Sequence, residues 1–96
     1  LAMDAVSRLC AWYELQCVDD WQEDHQIKIG TLDNPGWWMK IDLEGTSLCE
    51  RTFQEIQIER TDRDWVVARK DGSTFEAFGG PMALDEMIEI FLSWAE

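Results

Sequence analysis

The sequence predicts an α+β fold: a five-stranded antiparallel meander sheet with an N-terminal and a C-terminal helix packed on one face. Three observations carry this. Apolar residues at helical spacing are confined to the two ends of the chain, alternation occupies the middle, and the alternating runs are joined by short, turn-rich connections. Short connections suit antiparallel neighbours, because parallel strands need a crossover of a dozen residues or more. Two helices with one apolar face each would cover the same side of the sheet and leave the other to solvent or a partner.

The elements follow in order. From Asp4 to about Cys17, the residues Val6, Leu9, Cys10, Tyr13 and Cys17 recur at helical spacing, with Asp4 placed as N-cap or first-turn acid. Asp19-Asp20-Trp21-Gln22-Glu23-Asp24 reads as a polar loop interrupted by one Trp. Ile27, Ile29 and Thr31 then share a strand face, and Asp33-Asn34-Pro35-Gly36 is a turn in which Pro fixes φ and Gly accepts positive φ. The next strand sets Trp37, Met39 and Ile41 on one face and Trp38, Lys40 and Asp42 on the other. After a loop at Glu44–Ser47, a third strand runs from Thr52 to Arg60, its parity broken between Phe53 and Ile56 as a bulge or an irregular start would break it. Trp65–Arg69 is a strand, Asp71-Gly72 a hairpin turn, and Ser73–Phe78 the fifth strand. Gly79-Gly80-Pro81 stops the sheet. Leu84, Met87, Ile88, Phe91 and Ala95 mark the closing helix, with Asp85 and Glu86 complementing its dipole.

The 96 residues read as a single domain, 1–96, with Leu1-Ala2 an appendage ahead of a natural start at Met3. There is no internal repeat, linker or low-complexity run. A domain of this size buries roughly 65% of the surface its unfolded chain exposes, and 46% hydrophobic with 29% charged residues is ordinary globular composition. Six Trp in so short a chain exceed what a core can hold, because each indole is large and its N–H needs a partner. One or two should therefore reach the surface, where Trp is a favoured anchor.

The net charge is -12, and the excess is spread along the chain: ten acids and three bases in the first fifty residues, ten and five in the rest. Nucleic acid and anionic membranes both demand clustered Lys and Arg, so neither is an expected partner. A basic protein surface is; the plainer reading, that the charge keeps the chain soluble, has the greater weight from composition alone. Three Cys do not make a disulfide framework, and Cys10 and Cys17, seven apart on one helix, would stand about 10 Å from each other. Reduced thiols, no signal peptide and no membrane-length apolar run point to the cytoplasm.

Little in the chain suggests catalysis. His25 is the only histidine and Cys17 its nearest cysteine, but no motif surrounds either, and a cysteine at the end of a helix face is more often a core residue. The acids of the polar loop lack the spacing of a calcium loop, and no Cys/His set suits zinc, so no metal and no cofactor is expected. Gly79-Gly80-Pro81 has neither of the common phosphate-loop spacings, and acids follow it. An interface is the better use of these residues. Asp19, Asp20, Glu23 and Asp24 around Trp21 would give an apolar anchor with an electrostatic rim, and Trp38 a second anchor on the sheet. Trp21 folded back to cap the core is an equal alternative.

Several stretches resemble a known family. Trp12-Tyr13-Glu14-Leu15-Gln16-Cys17 is followed by a short acidic gap and Trp21, then by Ile29-Gly30-Thr31-Leu32-Asp33-Asn34-Pro35-Gly36-Trp37 and Ile41-Asp42-Leu43, with Asp64-Trp65 and Gly79-Gly80-Pro81 further on. Together these are similar to the immunity protein 53 family of bacterial polymorphic toxin systems, over nearly the whole chain. The resemblance implies a non-enzymatic protein that binds a cognate toxin and blocks it by stoichiometric occlusion. Many such toxins are nucleases with basic clefts, which a chain of charge -12 would suit. The runner-up is a small enzyme or ligand-binding domain with a pocket between helices and sheet.

Overall fold

A computed structural model describes residues 4–96; the reading of Leu1-Ala2 as an appendage ahead of Met3 lies outside them. The elements are α1 (Ala5–Gln16), α2 (Trp21–Asp24), β1 (Ile27–Leu32), β2 (Gly36–Asp42), β3 (Ile56–Glu59), β4 (Trp65–Asp71), β5 (Thr74–Gly79) and α3 (Leu84–Ala95). The α+β class, the five antiparallel strands and the terminal helices are as the sequence predicts.

The strand order is not the expected meander. It is β1-β2-β5-β4-β3, so a hairpin of β1 and β2 lies beside a three-stranded unit of β3, β4 and β5. The segment 43–55 carries the chain to the far edge. It is anchored on the way by Leu43 and Leu48, both buried, and by Thr46, whose hydroxyl donates to Leu43 O and accepts the Leu48 N–H. The reason lies in burial: β5 brings Phe75 and Ala77 directly opposite Ile41 and Met39 of β2, placing the most apolar strands at the centre. A meander would have given that central place to the short, half-exposed β3.

Three local expectations also need correction. The third strand starts at Ile56, not Thr52, and Phe53 packs edge-on against Phe75 and Trp94 from the preceding irregular segment, so of the two readings of the parity break the irregular start holds and the bulge does not. The hairpin turn after β4 is Gly72-Ser73: Gly72 takes φ +60°, at the first turn position, where a type II′ hairpin favours Gly. Residues 21–24 form one turn of helix where a loop was expected.

Helix α3 covers the centre of the sheet, burying Met87, Ile88, Phe91 and Leu92 against Met39, Ile41, Val66, Ala68, Phe75 and Ala77. Fully burying a Phe or Leu side chain stabilises by roughly 1.5–3 kcal/mol, so this layer holds the fold. Helix α1 packs mainly on α3. Asp4 caps it, accepting the Ser7 N–H at 2.8 Å, and that bond holds the Asp4 carboxyl below its ordinary value. The guanidinium of Arg8 joins the two helices through Glu89 at 2.9 Å and Glu96 at 2.8 Å.

The face that α1 buries is not the one its spacing suggested. Ala5 and Leu9 are buried and Trp12 packs edge-on to Phe91 at 4.9 Å, whereas Val6, Cys10, Tyr13 and Cys17 face solvent. The helix carries two interleaved apolar stripes, and α3 takes the one with the large indole. Trp37 and Trp38 divide as alternation requires: Trp37 lies against the core with its N–H on Pro81 O, and Trp38 lies on the opposite face.

Candidate functional site

The corner formed by the end of α1, the turn α2 and the start of β1 gathers most of the expected contact residues. Asp19 and Asp20 both adopt positive φ, at 53° and 61°, a conformation Asp tolerates better than most residues. Two such residues reverse the chain after α1, and Glu23 N–H bonds Asp20 O to close the α2 turn. Asp19, Asp20, Glu23 and Asp24 are all exposed.

Trp21 is the exception. Of its two equal readings, surface anchor and cap on the core, the second holds: it is only 7% exposed, so it cannot offer a partner its indole face. Its Nε1–H donates to Glu44 O at 2.7 Å, Trp12 and Tyr13 meet it edge-on, and His25 stacks on it at 5.2 Å. Gly45 makes room at φ +82°: a Cβ there would stand 3.0 Å from Trp21 Cδ1. Trp21 therefore pins α2 to the loop after β2 and turns the four carboxylates outward.

Among the described residues these acids form no ion pair, although Asp24 borders a cleft that also holds Lys28 and Lys40. No Lys or Arg occurs between Arg8 and Lys28, a stretch that also holds Glu14. Among the described residues none of Glu14, Asp19, Asp20, Glu23 and Asp24 forms an ion pair, and Arg8 is engaged on α3. Beside them, between α1, α2 and β1, runs a groove of about 400 Å³ lined by Leu9, Cys10, Tyr13, Gln22, His25 and Ile27.

Trp38 is not part of this corner. It lies on the open face of the sheet, its indole over Gly30, where an added Cβ would fall 2.5 Å from Cε2. Phe78 and Val67 continue the row across β5 and β4. Lys40 and Arg69 flank it, at 6.0 Å from the Trp38 ring and 5.5 Å from the Phe78 ring, and both reach Glu76. With Lys28 beside Lys40 in the same register, this face holds three of the eight cations. A basic partner is matched by the acidic corner and not by this face.

The catalytic pair considered from the sequence is not assembled. Cys17 Sγ donates to Tyr13 O at 3.3 Å and His25 Nδ1–H to Trp21 O at 2.8 Å, and the two side chains do not bond each other. His25 is instead grouped with Asp42 and Glu44, one donor atom of each lying within 4.8 Å of the others. Sequence spacing could not show this, because the β1–β2 hairpin brings the three together. The groove was missed for a different reason: its Cys10 and Tyr13 had been counted toward the core. The second stripe Ala5, Leu9, Trp12 was the signal that could have revealed it.

No helix is long and apolar enough to cross a membrane. Neither a curated protein nor a solved structure matches the chain. A family model does: that of immunity protein 53, over residues 6–96.

Proposed function

The chain belongs to the immunity protein 53 family, and from that premise we propose that it binds a cognate toxin protein in the cytoplasm and neutralises it by stoichiometric occlusion, without catalysis of its own. The observation that carries this is the acidic corner: five exposed carboxylates without an ion pair among the described residues, four of them turned outward by a buried Trp21. A carboxylate group of this kind gains most from Arg and Lys on another molecule, which steer encounter and pair on docking. The toxin surface it fits is basic, as the substrate cleft of a nuclease is. Asp19, Asp20, Glu23 and Asp24 make the contacts, Trp21 supports them from beneath, and Trp38 belongs to a separate patch.

The test is co-purification with the toxin domain encoded beside this gene, at low and high salt, with toxin activity titrated against the protein. Activity falling to zero at one equivalent, with an association rate that drops steeply as salt rises, is the expected result. Absence of a complex at any ionic strength, or turnover of toxin by substoichiometric protein, defeats the proposal.

A further inference from the structure

We propose that the outer edge of β1, with the groove beside it, takes an extended lysine- or arginine-bearing segment of the partner protein as a sixth strand of the sheet. This deepens the immunity reading and rests on it.

The ladder itself shows which backbone groups are available. Asp42 N–H bonds Gln26 O directly across the hairpin, so in the antiparallel alternation Lys28–Lys40, Gly30–Trp38 and Leu32–Gly36 are the bonded pairs. The remaining β1 residues, Ile27, Ile29 and Thr31, turn their N–H and C=O groups to the outer edge. Among the described residues β1 pairs with β2 alone, so these groups meet no strand. The side chains of the same three residues point to the helix side, where α3 does not reach: Ile29 is 42% exposed and Ile27 lines the groove under α1. An added strand would find backbone partners and, at its Ile27 end, the groove between Ile27 and Tyr13.

Charge selects the occupant. The groove is lined wholly from the stretch between Arg8 and Lys28 that has no cation and five carboxylates. The Ile27 end of the edge adjoins α2, so cations on the incoming segment meet Glu23 and Asp24. A second copy of this chain is a poor occupant, since each carries -12. The opposite edge offers less. Strand β3 has four residues; Arg60 N–H bonds Asp64 O, so Gln57 and Glu59 face outward there with polar side chains, and the acids of the groove beside it, Glu86 and Glu89, are already paired with Arg60 and Arg8.

The experiment is amide hydrogen exchange on the wild-type protein with and without the toxin domain encoded beside this gene, coupled to affinity measurements on two matched variants. Ile29→Pro deletes an outward N–H while leaving every β1–β2 ladder bond; Gln57→Pro does the same on the opposite edge. The expected result is protection of the Ile27, Ile29 and Thr31 amides in the complex. Ile29→Pro should weaken binding by about a hundredfold and Gln57→Pro by less than about threefold, with both variants folded by circular dichroism. A complex that leaves those three amides exchanging at the unbound rate overturns the proposal and spares the immunity reading. Edge-to-edge dimers of the protein alone, abolished by Ile29→Pro in light scattering, would overturn it in favour of a second copy. No complex at all overturns both.

Discussion

Helices α1 and α3 each run for twelve residues and lie on the same side of the sheet, yet α3 buries Met87, Ile88, Phe91 and Leu92 where α1 buries only Ala5 and Leu9. The contrast continues into their surroundings. Around α3, cations and acids are matched, as in Arg60 with Glu86 and Arg8 with Glu89. At the end of α1, five carboxylates stand without one. The same side of one small sheet is thus divided between a half that holds the fold and a half whose apolar and charged groups stay at the surface. A domain this small can bury only part of its apolar surface; under the proposed function, the stripe left exposed on α1 is where the partner docks.

The division can be broken at either half. Phe91→Ala empties the centre of the α3 layer, where Trp12, Phe75 and Trp94 all meet the ring. The expected loss is about 3–5 kcal/mol of unfolding free energy in urea titration. Tyr13→Ser on α1, 38% exposed, should cost no more than about 1 kcal/mol. Equal losses would mean that α1's outer stripe belongs to the core and that the comparison is wrong.

Next in size is the acidic corner. Asp19→Asn, Asp20→Asn, Glu23→Gln and Asp24→Gln combined should slow toxin association by about tenfold or more at low salt and little at high salt. Asn keeps the left-handed backbone of the first two positions acceptable, and no internal ion pair is lost. Unfolding stability should therefore hold or rise slightly as like charges are removed. Stopped-flow or surface-plasmon kinetics read the first effect and thermal denaturation the second. Trp21→Phe sharpens the boundary between the halves: it keeps an aromatic ring but deletes the bond to Glu44 O. About 1 kcal/mol of stability should go with it, and binding should weaken only as far as α2 loosens.

What was legible in the sequence follows the same line. Strict alternation in β1, β2, β4 and β5 and the turn residues of Asp33–Gly36 set those elements almost to the residue, since each is governed by its neighbours in the chain. Strand order was not legible, because whether β5 or β3 lies beside β2 depends on which pairing buries Phe75 and Ala77, a competition between distant segments. The exposure of the corner's acids was legible because charge is a local property of the sequence. Trp21 was left undecided between anchor and cap because its fate depends on Glu44 and Gly45, more than twenty residues on. The outer edge of β1 was invisible for the same reason as the strand order: an edge exists only once the order is known.

The smallest effect concerns pH, and it tests the paired carboxylates around α3. Arg60 donates to both oxygens of Glu86, at 3.0 and 2.8 Å, and to Asp64 at 3.0 Å. These bonds hold the Glu86 carboxyl below its ordinary value against the opposing effect of burial. A carboxyl whose folded value is depressed binds protons more weakly in the folded than in the unfolded state. Its contribution to stability is therefore complete above its unfolded value and fades as the pH falls through its lower folded value. Glu86→Gln should flatten that part of the acid limb: melting temperatures of variant and wild type differ at neutral pH and converge in acid. Parallel acid limbs in variant and wild type would mean that Glu86 gains nothing from Arg60, and the distinction between the two halves would fail on its electrostatic side.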